Sequence, residues 1–142
     1  MRKARDVARR NPGAIILGAD TLVVCRGKII GKPRSIAESR RILNLLNGRW
    51  QEVYTGVAVV VDGGRRIFTT AVKSRVLARR LGPDALGRLA GKHLDKAGAY
   101  AVQDRDDPFI QRIEGDYNNV VGLPLKATHK LLCQAFKKCQ AV

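Results

Sequence analysis

Aromatic residues are scarce in this chain, with one Trp, three Tyr and three Phe among 142 residues. They are too few to interleave with basic side chains as a stacking platform for single-stranded nucleic acid. Cysteine is scarce too. Cys25, Cys133 and Cys139 are odd in number and lack CxxC spacing. That supports neither a zinc site nor a disulfide framework, and it makes a reduced cytoplasm the default compartment. His93 and His129 lie too far apart in sequence to offer a ligand pair. No apolar stretch reaches the length of a membrane span, and no secretory apolar region follows Met1. Acidic residues number 12 against 27 basic ones, a formal net charge of +15. The basic residues form no block. Arg9-Arg10, Arg40-Arg41, Arg65-Arg66, Arg79-Arg80 and Lys137-Lys138 are spread along the chain. Charge therefore favours an anionic partner without saying which.

What is present is enough for one domain, residues 1–142, with an ordinary apolar fraction of 45%. Residues 2–10 carry Ala4, Val7 and Ala8 at helical spacing, and Asn11-Pro12-Gly13 ends that helix with strong turn chemistry. Ser35 opens a capping box with Glu38, and Ile36, Ile42, Leu43 and Leu46 supply that helix's apolar stripe up to Gly48. The β-branched run at 50–61, the Asp62-Gly63-Gly64 turn and a return strand at 67–76 read as a hairpin. Residues 83–90 form a short helix. Residues 113–125 read as a loop, a short apolar strand and a turn. They lead into a last helix near Pro124 whose expected buried face is Leu125, Thr128, Leu132 and Phe136. His129 sits beside that stripe as a boundary residue. Lys137 and Lys138 complement the dipole at the helix C-terminus.

The chain is organised around GADTLVVCRGKIIGKP, residues 18–33. Ala14-Ile15-Ile16-Leu17 reads as a buried strand stopped by Gly18, with Asp20 and Thr21 directly after it. A carboxylate on such a fixed backbone can be aimed at water or a metal ion. Past the turn at 25–28 and a short strand at Ile29-Ile30, Gly31-Lys32-Pro33 brings an ammonium into the same cleft. An acid and a cation together suit hydrolysis of a phosphate ester or anhydride. A solvated hairpin with an Asp in its turn explains the same residues locally. LDKAGAY, residues 94–100, fits no period, as expected where backbone must approach something closely.

Strung together, GADT, GKP, VYTGV, DKAGAY and IEGDYNNVVGLPL resemble the Maf family of nucleoside triphosphate pyrophosphatases, in the wording of its dTTP/UTP branch. The resemblance implies an α/β fold with a long twisted mixed sheet, flanking helices and two lobes, the nucleotide lying between them. It implies hydrolysis of dTTP or UTP to the monophosphate and pyrophosphate with a divalent cation, Mg2+ or Mn2+. It further implies a nucleotide partner, no membrane partner, and a homodimer. Asp20 matches the family's proton acceptor, Thr21 and Gln103 match positions that shape base specificity, and Lys32 and Lys96 match basic groups near the phosphates. No metal ligand is assigned. Physically, Lys32 and Lys96 can clamp a triphosphate from two sides, and Gln103 can both donate to and accept from an imide edge. Local roles stay open: Asp95 with Lys96 as a surface pair, Asp116 and Asn118 as turn formers.

Two departures from the family's pattern stand out. Its initial strand and Ser-x-Ser-Pro-Arg-Arg turn have no counterpart from Met1 onward, which predicts a missing N-terminal strand and weak activity for the chain as written. Gln51 stands where His is frequent, and Asp104-Arg105-Asp106 replaces a Gly-rich continuation. The competing readings are a nucleotide-binding or regulatory protein without turnover and, last, a basic nucleic-acid-binding domain.

Overall fold

Five strands form one sheet in the order β2-β1-β3-β4-β5. In chain order the elements are α1 (Arg2–Arg10), β1 (Ile16–Cys25), β2 (Lys28–Ile30), α2 (Ile36–Leu46), β3 (Trp50–Val61), β4 (Arg66–Ala78), α3 (Pro83–Leu89), β5 (Ile110–Glu114), α4 (Tyr117–Val121) and α5 (Leu125–Cys139). The computed structural model describes residues 2–104 and 106–139, without the side chains of 137–139. Arg105 and the proposed dipole contacts of Lys137 and Lys138 lie outside the described residues.

The α/β class with flanking helices stands. Every pairing among the described residues is antiparallel, where the resemblance implied a mixed sheet. Tight turns explain the sense. Arg26 and Gly27 take left-handed φ of 51° and 73° between β1 and β2, and Asp62, Gly63 and Gly64 do the same between β3 and β4. Reversals of two residues (26–27) and four residues (62–65) can only return the chain antiparallel.

β1 is longer than the apolar run suggested. It continues through Gly18 to Cys25, paired with β3 from Ile16↔Val60 to Val24↔Glu52. Gly18 does not stop it. A Cβ there would come within 2.9 Å of the Ala4 Cβ, so this glycine admits α1 onto the sheet. Nor is 14–17 buried, since Ile15 and Leu17 are exposed.

The odd-numbered residues of β3 line one face and carry two separate apolar clusters. Val53, with Val23, Cys25 and Val76, packs beneath Ile42, Leu43 and Leu46 of α2, Leu86 and Leu89 of α3, Tyr100 and Phe109. Val57, Val59 and Val61 pack against Leu131 and Ala135 of α5. Ala4 and Ala8 of α1 cover Val60 on the other face. Each fully buried Leu or Val here contributes about 1.5–3 kcal/mol. Between the two clusters on the first face sits Thr55, fully buried and polar. The interval between two apolar lobes is where a cleft can open.

Three helical details differ from expectation. Ile36, 63% exposed, overhangs the start of α2 beside Gly91, and Ser39 takes the buried place in the stripe. Glu38 does complete a capping contact, but its carboxylate accepts from the Arg34 N–H (2.9 Å) while the Ser35 hydroxyl accepts from Glu38 N (3.1 Å). In α5 the buried stripe is Thr128, Leu131 and Ala135, leaving Leu125, His129 and Phe136 exposed. The shift by about one position follows from the lobe of β3 on which the helix lands.

Candidate active site

All five residues expected at a site line one cleft of about 250 Å³: Asp20, Thr21, Lys32, Lys96 and Gln103, with Asp95, Val53, Tyr100 and Val120 among the other walls. Four segments converge to make it. β1 supplies Asp20 and Thr21 from its middle, not from its end as the apolar run had suggested. Lys32 follows β2, where the Gly31 carbonyl accepts from the Gly98 N–H at 3.3 Å. That bond ties the Lys32 segment to the Lys96 segment.

Gly98 explains the awkward composition of LDKAGAY. It lies in a 3₁₀ turn at Ala97–Ala99 with φ of 81°, and a Cβ on it would sit 2.7 Å from the Tyr100 ring. Only glycine fits both demands. Tyr100 is buried, and burial first, then the Asp107 carboxylate, raises its phenol well above the usual value. It stays neutral at any working pH.

Within residues 113–125, expected as a loop, a short apolar strand and a turn, Tyr117–Val121 is instead helical. The Asp116 carboxylate accepts from Asn118 N at 2.8 Å and caps α4, while Gly122 with φ of 119° ends it. Asp116 is thus a cap, as its local reading allowed. The helix turns Asn119 inward. Its side-chain amide donates to the Val53 carbonyl (3.0 Å) and to the Ser74 hydroxyl (3.0 Å).

That inward turn sets the polarity of Thr21. Thr55 donates its hydroxyl proton to the Asn119 carbonyl at 2.9 Å. A hydroxyl has one proton, so in the 2.9 Å contact between Thr21 and Thr55 the donor is Thr21. The Thr21 oxygen then offers the cleft lone pairs only. Thr55, Ser74 and Asn119 were missed in the sequence, and nothing local marks them. Their role comes from the register that pairs Thr21 with Thr55.

The charges differ in readiness. Among the described residues, the side chains of Asp20, Lys32 and Gln103 have no hydrogen-bond or ion-pair partner. Opposite Asp20 in the ladder stands Gly56, and a Cβ added there would meet nothing within 4 Å. The open space beside this carboxylate belongs to a second hollow, lined by Gly18, Ala19, Asp20 and Gly56, on the sheet face opposite Thr21. Lys96 instead pairs with its neighbour Asp95, whose carboxyl is held below its usual range chiefly by that ammonium. No group of three His, Cys, Asp or Glu side chains among the described residues could by itself hold a metal ion. The cleft's donors are carboxylate oxygens, with no thiol or imidazole on its walls. Such a set fits a hard cation carried mainly by a ligand's phosphates.

Among the described residues, no helix is long and apolar enough to cross a membrane. Comparison with known proteins agrees with the geometry. The chain is 46% identical over 132 residues to the dTTP/UTP pyrophosphatase of Elusimicrobium minutum (strain Pei191), covering 93% of this chain and 72% of that protein. It is 48% identical to the dTTP/UTP pyrophosphatase of Moorella thermoacetica (92% and 68% covered). To that of Pyrococcus horikoshii it is 41% identical (96% and 73% covered). The Maf-like protein family model matches residues 1–135. With the motifs of four segments gathered on one cleft and a match over nearly its whole length, this chain belongs to the Maf-like protein family.

Proposed function

We propose that this protein hydrolyses dTTP and UTP to the monophosphate and pyrophosphate. The observation that carries this reading is the convergence of an unpaired carboxylate, two lysines, an acceptor-only hydroxyl and a free carboxamide on one cleft. The names of the relatives, dTTP/UTP pyrophosphatases, support it.

The chemistry follows from the residues. Asp20 takes the proton of the water that attacks the α-phosphorus. Lys32 and Lys96 hold the phosphates from two separate segments, and Lys96 exchanges Asp95 for the substrate as it does so. At the other end, uracil and thymine present a carbonyl, an N–H and a carbonyl. The lone pairs of Thr21 accept from that N–H, and the Gln103 amide donates to a carbonyl. Cytosine has no proton at the matching ring nitrogen, so the same oxygen would face a lone pair. A divalent cation, Mg2+ or Mn2+, would be held by Asp20 and Asp95 together with the substrate's phosphates. Its contribution when bound is to offset phosphate charge.

The same reading assigns the protein to the cytoplasm and to a homodimer. The open sheet edges support the latter: among the described residues β2 pairs only with residues 23–25 of β1, and β5 only with residues 75–78 of β4.

The test is pyrophosphate release from dTTP, UTP, CTP and ATP with Mg2+ or Mn2+. Preferential turnover of dTTP and UTP is expected. Tight nucleotide binding without turnover would favour a regulatory protein instead.

A further inference from the structure

His93 is not among the residues that line the cleft, yet it joins the two segments that carry Lys96 and Gln103. Its side chain is only 12% exposed, and its Nε2 lies 3.3 Å from Asp104 Oδ2 and 3.3 Å from Asp107 Oδ2. Neither contact has the alignment of a hydrogen bond to one carboxylate alone, and the buried Nε2 lies between the two.

Asp104 directly follows Gln103, and Asp107 bonds back to Ala101, two residues before Gln103. Asp107, 2% exposed, accepts from Ala101 N at 3.2 Å on one oxygen and from Phe109 N at 2.9 Å on the other. It staples both ends of the loop. Asp104 accepts from Asp106 N at 3.0 Å and pairs with Lys92 at 2.8 Å. The His93 Nε2 is the polar atom that the Asp104 and Asp107 carboxylates share. A buried carboxylate is costly where its polar contacts are lost, so replacing the imidazole loosens Asp107 and with it both staples. The Lys96 side is tied differently. Lys96 N donates to the backbone carbonyl of His93 at 3.3 Å, a bond no change of side chain at 93 removes.

We propose that His93 is a positioning residue for base recognition: by touching Asp104 and Asp107 at once it fixes residues 101–104 and 106–107, and with them the Gln103 carboxamide, against the base. The proposal rests on the pyrimidine triphosphate reading above. It also gives a purpose to the Asp104-Arg105-Asp106 stretch, whose first residue is one jaw of the clasp.

The consequence is selective. Substituting His93 should blur the choice of base while sparing the grip on the phosphates. The experiment compares wild type with His93→Gln, Asp104→Asn and the double variant. Each is assayed for kcat/KM on UTP and CTP, for affinity for the non-hydrolysable α,β-imido-UTP and α,β-imido-CTP, and for inhibition by inorganic triphosphate. Thermal melting shows which variants are folded, and the surface variant Asp104→Asn serves if His93→Gln is not. The expected result is a fall in UTP-over-CTP preference of about 10-fold to 10²-fold in each single variant. The double variant should be no worse than the weaker single one, because both cut the same clasp. Inhibition by inorganic triphosphate should keep its strength. A folded variant that keeps the wild-type preference, or loses UTP and CTP equally, overturns the proposal. Wild type that binds the two analogues equally overturns the base-reading role of Gln103, and this inference falls with it.

Discussion

Asp20 and Thr21 are neighbours on β1 and so present opposite faces of a strand, yet both reach the cleft. Their chemistry separates cleanly. Asp20→Asn keeps the shape of the carboxylate but cannot accept a proton at neutral pH. Turnover of dTTP should fall by roughly 10²–10⁴-fold, with affinity for α,β-imido-dTTP nearly unchanged. Retained turnover would show that another group is the base. Thr21 acts through the proton chain behind it. Thr55→Val removes both the acceptor of the Thr21 proton and the donor to Asn119. The Thr21 hydroxyl is then free to donate, and discrimination of UTP from CTP should drop by about 10-fold. The Asn119 carbonyl keeps its bond from the Gly122 N–H at 3.1 Å, so the loss in a urea melt should be only about 0.5–1.5 kcal/mol. Unaltered discrimination in Thr55→Val would mean that the hydroxyl chain does not set base choice.

At the scale of elements, the cleft depends on short turns more than on long helices. Gly98→Ala would put a methyl 2.7 Å from the Tyr100 ring at a left-handed φ. It should cost about 1–3 kcal/mol and weaken nucleotide binding together, because the same turn carries Lys96 and bonds to Gly31. Leu43→Ala in α2, fully buried away from the cleft walls, should cost about 2–5 kcal/mol while leaving KM within a few-fold. If Gly98→Ala binds nucleotide as wild type does, the turn is not part of the site. The loop at 101–107 carries its own pH dependence. The Asp104 carboxyl is depressed, first by the Lys92 hydrogen bond and then by the Asp106 N–H, with His93 adding attraction. A depressed carboxyl stabilises the fold fully above its unfolded value of about 3.9, and that contribution is lost as the pH falls through the lower folded value. Amide protection of residues 101–104 should therefore decline below about pH 4 sooner than that of β3, measured by hydrogen exchange.

The whole molecule carries a net charge of +15, which favours an anionic target. Charge does not distinguish a triphosphate from a nucleic acid, but salt does. A protein that covers 6–10 nucleic-acid phosphates loses about 10³–10⁵ in affinity between 50 and 200 mM salt. For dTTP bound in one cleft through two lysines, KM should rise by no more than about 10-fold over that range. A steep salt dependence of oligonucleotide binding, tighter than nucleotide binding at 150 mM, would favour the nucleic-acid reading instead.

Much of this protein was legible from residues a few positions apart. Asn11-Pro12-Gly13 ends α1, Ser35 with Glu38 starts α2, and Asp62-Gly63-Gly64 turns β3 into β4. Caps and turns are encoded locally, in the hydrogen-bonding reach of a side chain and the φ a glycine allows, so the sequence alone determines them. Asp20, Thr21, Lys32 and Lys96 were legible as well, because GADT, GKP and DKAGAY carry them within short words, while Gln103 stands outside those words. What the sequence could not decide is which surface each element meets. Residues 117–121 are β-branched enough for a strand, yet Asp116 caps them into a helix that docks Asn119 between β3 and β4. Leu125 and Phe136 have the right spacing for a core, but α5 lands on β3 through Leu131 and Ala135. His93 looked like an isolated imidazole because its two carboxylates are 11 and 14 positions away. Burial and charge pairing are properties of what lies opposite in space, and only the folded sheet brings those partners together.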